Sequence, residues 1–181
     1  MENHKIDPNV GRKNALISSQ DNSTLTKSAF LPSIIEFSTS GLCNRKCIFC
    51  PRSAPDYEHI NGHLSLENID KLSSELEVYE KDFYFLFYGF SEPLLTKHLE
   101  ELISIIRSKH NNSTIEINTN TDLLTQKRIK SLFDSGLTSI RCSIYDDEER
   151  LLEVGKLLED CGIDESAYSL RPRYFKKDKC S

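Results

Sequence analysis

The chain has 181 residues with 23 Lys and Arg against 28 Asp and Glu, a net charge of −5. A general nucleic-acid binder, which needs excess cation to displace counterions, is therefore disfavoured. The length suits one domain with its own core and excludes two full catalytic domains. No run approaches the roughly 18 apolar residues of a membrane span, and the opening MENHKIDPNV lacks the apolar stretch of a signal peptide, so no membrane association and a cytoplasmic location are expected.

Residues 1–31 are rich in Asn, Ser, Lys and Asp without hydrophobic periodicity, which predicts a flexible polar tail ahead of a core domain over 32–181. Pro32 marks the entry into order. Ser33–Thr39 (SIIEFST) predicts a first strand; Leu66, Ile69, Leu72 and Leu76 recur at helical spacing behind Ser65, a good N-cap. Phe83–Tyr88 (FYFLFY) is a continuous apolar run, as expected of a strand covered on both faces. Leu99, Leu102, Ile103 and Ile106 form the next helical stripe, and Thr114–Thr119 a third strand. Ile129, Leu132 and Phe133 belong to a helix ended by Gly136. Thr138–Tyr145 predicts a fourth strand, and Leu151 to Cys161 a fourth helix ended by Gly162. Ser166–Phe175 predicts a fifth strand, limited or placed at an edge by Pro172.

Five strands and four helices in strict alternation predict an α/β fold with right-handed crossovers and a parallel sheet. Sites in such folds gather at the C-terminal strand ends. Cys43, Cys47 and Cys50 follow the first strand, Gly89-Phe90-Ser91-Glu92-Pro93 the second, Asn118-Thr119-Asn120 the third and Asp146-Asp147 the fourth.

The cysteines are unevenly spread. Cys142, in an apolar strand, Cys161, on a helix face, and Cys180, beside the end, read as buried or incidental thiols, and clustered cysteines in a reducing compartment read as metal ligands. The Cys-x3-Cys-x2-Cys loop brings three thiolates within reach of one centre. Zinc would take a fourth ligand, with His59 and His63 available. An iron–sulfur cubane held by three thiolates keeps one iron open for a substrate or cofactor.

Phe49, just before the third cysteine, completes a pattern that resembles the radical S-adenosylmethionine (radical SAM) superfamily, whose signature is Cys-x3-Cys-x-aromatic-Cys. Gly89-Phe90-Ser91-Glu92-Pro93 is similar to that family's Gly-Gly-Glu-Pro motif, with Ser91 where a Gly is common, and Thr119-Asn120-Thr121 to its Thr-Asn-Gly. The resemblance spans about Pro32 to Phe175. It implies an incomplete (βα) barrel, a partial TIM-like barrel, against the six strands and six helices usual in the family. It also implies a 4Fe–4S cluster on Cys43, Cys47 and Cys50, with S-adenosyl-L-methionine chelated by the open iron. Reductive cleavage of that cofactor would start radical chemistry on a substrate.

Further roles follow from the resemblance alone. Phe49 would pack near the cluster and adenine, and Glu92, with Gly89, Ser91 and Pro93, would hold the cofactor ammonium. Ser143 would face the ribose, and Arg171 or Arg173 would meet the methionine carboxylate. Asn120 either faces the cavity or closes a turn through its own side chain. Arg45 and Lys46 would suit the cluster's negative charge, an acidic electron donor of the flavodoxin or ferredoxin type, or plain solvent. Pro51–Tyr57 and Phe90–Leu95 look like the branch whose longer members carry a C-terminal SPASM domain and modify peptides or small carbohydrates, and a core lacking that extension is expected. A peptide or small-molecule substrate is expected, as is a fifth-strand edge open to self-association or a partner chain. The alternatives are a zinc-stabilised, non-catalytic α/β module and a shortened family member that binds a cluster without turnover.

Overall fold

The computed structural model describes residues 32–174. The expected tail, Cys180 and the stretch from Phe175 onward lie outside these. The elements below all lie in the compact unit that begins at Ile34.

Five strands, β1 (Ile34–Phe37), β2 (Tyr84–Phe87), β3 (Thr114–Thr119), β4 (Ser139–Ile144) and β5 (Tyr168–Pro172), alternate with four helices. The helices are α1 (Leu66–Glu77), α2 (Leu99–Lys109), α3 (Gln126–Asp134) and α4 (Glu148–Asp160). The strands pair in sequence order, every pair parallel. Successive crossovers of one hand with no reversal of strand order place all the helices on one face, the winding of a barrel rather than a doubly wound sheet. The sheet is open, with β1 and β5 at its edges.

Local sequence explains the elements. Ser65 caps α1 by accepting from Asn68 N at 3.2 Å, Thr125 caps α3 and Asp147 caps α4, each satisfying an orphan helix donor. Gly136 and Gly162 follow the last turns of α3 and α4, as expected. All four residues of β2 are buried. Strand residues that alternate on the helix side, among them Phe85, Phe87, Ile115, Ile117, Ile140 and Ile144, are nearly inaccessible and pack with Ile69, Leu102, Ile106, Ile129, Leu132 and Leu158. Each such side chain contributes about 1.5–3 kcal/mol.

The opposite face is polar. Arg141 Nη2 pairs with Glu116 Oε1 at 2.6 Å, both side chains over nine-tenths buried, and Ser139 Oγ donates to Glu116 Oε2 at 3.0 Å.

Four strands are shorter than expected, β2 and β4 by one residue at each end and β1 and β5 by more. β1 stops at Phe37 because Thr39 O instead accepts Leu64 N, and Ser40 bridges His63. β5 starts only at Tyr168, since Asp164 caps a short 3₁₀ turn over Glu165–Ala167 through Ser166 N at 2.9 Å.

Candidate functional site

The loop after β1 and the ends of β2, β3 and β4 line one cavity of about 230 Å³, which includes all three clustered cysteines. Cys43, Cys47 and Cys50 are each half-buried. Burial, then the neighbouring Cys43 thiol, pushes Cys47 up, against the opposing pull of Arg45. The last two thiols sit on a turn in which Cys50 N donates to Cys47 O at 2.9 Å, continued by a 3₁₀ turn over Pro51–Ser53.

Close backbone approach shapes the loop. A Cβ on Gly41 would overlap the Ile60 carbonyl, and Gly41 N donates to Gly62 O at 2.9 Å. Gly89, in the cavity wall, has φ +126°, and a Cβ there would collide with Ser38 Oγ; both positions demand glycine.

Glu92 is 2% exposed. Oε1 accepts from Thr119 Oγ1 at 2.6 Å and from Leu94 N at 3.1 Å, and Oε2 accepts from Asn120 N at 2.8 Å. Burial raises its carboxyl above the usual range, with those three donors pulling the other way. Since a carboxylate offers about four acceptor sites, one is left on Oε2. Pro93 is buried in the 3₁₀ turn behind it and is not among the cavity-lining residues. The Ser91 hydroxyl is buried without a hydrogen-bond partner. Ser143 Oγ donates to Asn118 Oδ1 at 3.1 Å in the cavity wall. Phe49, 66% exposed, stacks on Tyr145 at 5.6 Å between centroids.

Asn120 closes a turn and also lines the cavity. Its Oδ1 accepts Asp122 N at 3.1 Å, closing a turn, while Nδ2 donates to Asn44 Oδ1 at 2.8 Å in the cavity lining. Arg171 is buried on β5 and is not brought to the cavity; Arg173 lines a neighbouring one with Lys46, Phe49 and Tyr174. Arg45 is not a free surface cation. It pairs with Asp122 and Asp146, whose carboxyl it lowers.

Sequence reasoning missed Arg52 and Asp122. Arg52, 9% exposed, donates to Gly41 O at 2.7 Å and Phe90 O at 3.2 Å and holds His59 Nδ1 at 3.1 Å. An arginine two residues after Cys50 carries no local sign of that role. His59 is thus engaged elsewhere, and among the described residues no three His, Cys, Asp or Glu groups converge on a single ion. Three thiols lining one cavity fit a cluster that takes three protein thiolates and keeps one iron open.

The Radical SAM superfamily model matches residues 37–165. The chain is 29% identical over 105 residues to the S-adenosyl-L-methionine-dependent 2-deoxy-scyllo-inosamine dehydrogenase of Niallia circulans, covering 58% of this chain and 42% of that protein. It is 32% identical over 120 residues to the probable GTP 3′,8-cyclase of Methanococcus aeolicus, covering 61% and 36%. It therefore spans about two fifths of the length of these curated relatives. The crystal structure of BtrN in complex with AdoMet and 2-DOIA superposes with a TM-score of 0.66 at 21% identity, covering 79% of this chain and 57% of that one. An open conformation of BtrN gives 0.62 at 23% over the same shares. These two structures bear on the fold. The family match covers most of the chain, which belongs to the radical SAM superfamily, whose members use a 4Fe–4S cluster and S-adenosyl-L-methionine.

Proposed function

We propose that this chain is the core, over 32–181, of a radical SAM enzyme acting on a small polar, carbohydrate-like substrate. The observation that carries the reading is the gathering of Cys43, Cys47 and Cys50 with the ends of β2, β3 and β4 around one cavity. Cys43, Cys47 and Cys50 would hold the cluster. When bound, it supplies the electron that cleaves S-adenosylmethionine and so generates the radical that takes a substrate hydrogen.

The chain's own residues bind and shield. Gly89 lets the backbone take the φ +126° turn that packs against Ser38 and forms the cavity wall. The remaining acceptor site of Glu92 and the unpartnered Ser91 hydroxyl suit the cofactor's ammonium and carboxylate groups. Phe49, resting on Tyr145, would cover the adenine and exclude water, and Ser143 would face the ribose. Arg171, buried away from the cavity, is less well placed for the methionine carboxylate than Arg173. Asn118 and Tyr145 line the cavity and would offer hydrogen bonds to substrate hydroxyls. The relative from Niallia circulans is named for action on an inosamine.

A flavodoxin- or ferredoxin-like donor would supply electrons, and the outer edge of β5, which pairs with β4 alone among the described strands, would take a partner strand or a second copy. Among the described residues no helix is long and apolar enough to cross a membrane.

Anaerobic reconstitution followed by dithionite-driven formation of 5′-deoxyadenosine tests the reading. About four iron and four sulfide per chain with turnover supports it. A loaded cluster without 5′-deoxyadenosine would reduce the chain to a binding protein, and tight stoichiometric zinc without a cluster would reject the assignment.

A further inference from the structure

The three-cysteine loop is held at two ends by different parts of the sheet. Its root is tied to the loop after β2, through Arg52 to Phe90 O and through Glu92 N, which donates to Leu42 O at 2.8 Å. Its tip is held by the loops after β3 and β4. Arg45 Nε donates to Asp122 Oδ2 at 2.7 Å, while Nη2 is shared between Asp122 Oδ1 and Asp146 Oδ2, the latter at 2.7 Å. Asn44 Nδ2 donates to Asp122 Oδ2 at 2.7 Å.

The chain spends conformational strain to present Asp122. Thr121, just before it, has φ +68°, a region that disfavours β-branched residues. It is held there by Arg150 Nη2, which donates to Thr121 O at 2.8 Å, and by the Asn120 turn. A strained residue kept in place by its surroundings points to a task for what it positions. Here that is a carboxylate aimed at the cysteine loop.

We propose that Arg45 is a positioning residue, a cationic clasp engaged by Asp122 and Asp146 that orders the Cys43–Cys47 half of the loop before the cluster arrives. The inference rests on the cluster reading above. A planar guanidinium spans two carboxylates from separate loops through fixed donors, which an ammonium does not reproduce. Ordering the loop in advance removes part of the entropy cost of binding. The clasp also sets one cation between two carboxylates, groups that otherwise repel.

Amide hydrogen exchange on metal-free protein, paired with cluster retention against a chelator, tests this. In Arg45→Gln, exchange at residues 43–53 is expected to rise about fivefold while α2 is unchanged. Cluster half-life is expected to fall about tenfold. Arg45→Lys should lie between this variant and the parent. Arg45→Gln combined with Asp122→Asn should cost less than the two single changes added together, because they share the Arg45–Asp122 contact, each also having a partner of its own in Asp146 or Asn44. Unchanged loop exchange in Arg45→Gln, or costs that simply add in the double variant, would overturn the clasp. Should Arg45→Gln fail to fold, Arg45→Lys and Asp122→Asn carry the same comparison. A parent protein that takes up no cluster would reject the proposed function, while the exchange measurement would still decide the clasp.

Discussion

Glu92, in the loop after β2, accepts the Thr119 hydroxyl at 2.6 Å and so braces the end of β3 from inside the protein. The motif carboxylate is therefore a strut between that loop and a strand end as well as a group beside the cavity. Replacing it disturbs the scaffold along with any ligand contact.

Glu92→Gln puts an amide NH₂ where a carboxylate oxygen now faces N–H and O–H donors, leaving at least one of them without an acceptor. Stability should fall by about 1–3 kcal/mol, measured by denaturant unfolding without any cofactor. Burial holds the Glu92 carboxyl above the usual range, so the folded state binds its proton at a pH where the unfolded chain has lost it. The stability of the parent relative to Glu92→Gln should rise as pH falls from the raised folded value to the ordinary glutamate value, and level off below it. A relative stability that drops on acidification would show the shift to run the other way.

The six cysteines should separate by role. Cys43→Ala, Cys47→Ala and Cys50→Ala should each abolish retention of iron and sulfide after desalting, whereas Cys142→Ala should retain both. Cys142 is fully buried and its thiol is pushed up to about 12, so it should resist iodoacetamide in the folded protein at neutral pH. Loss of the cluster from Cys142→Ala would show a misassigned ligand.

Arg141 and Glu116 form an ion pair with both side chains under a tenth exposed. Removing one partner leaves a buried charge without its counterpart, so Arg141→Ala should cost about 3–5 kcal/mol. Arg141→Met with Glu116→Leu should cost much less than the sum of its parts. Additive losses in thermal unfolding would argue against a coupled pair.

Gly41→Ala drives a methyl group into the Ile60 carbonyl, at the point where the chain enters the cysteine loop. The backbone must move, and the Gly41–Gly62 and Arg52–Gly41 hydrogen bonds move with it. Cluster uptake should fall about tenfold while α2 and α3 keep their exchange protection. Unimpaired uptake would mean that the loop tolerates the shift.

Much of the fold was legible because its signals are local. The Phe83–Tyr88 run announced a strand buried on both faces, Ser65 the start of α1, and Gly136 and Gly162 the ends of two helices. The cysteine spacing, Phe49 and the Gly89–Pro93 stretch lie within short windows and identified the family. The strand boundaries at Thr39 and Ser166 were misjudged because they depend on contacts of single loop residues, Thr39 O with Leu64 N and Asp164 with Ser166 N.

Linear order settled the alternation of strands and helices and the ligand-rich loop, since period, capping and spacing are properties of neighbouring residues. Folding settled which charges meet. Arg45 and Asp122 lie 77 positions apart and Glu92 and Thr119 lie 27 apart. Arg171 carries the same side chain as Arg45 but is buried on β5 away from the cavity. Long side chains of one chemistry are interchangeable on paper, and only the parallel register of the strands brings their ends to a shared rim and gives each a partner.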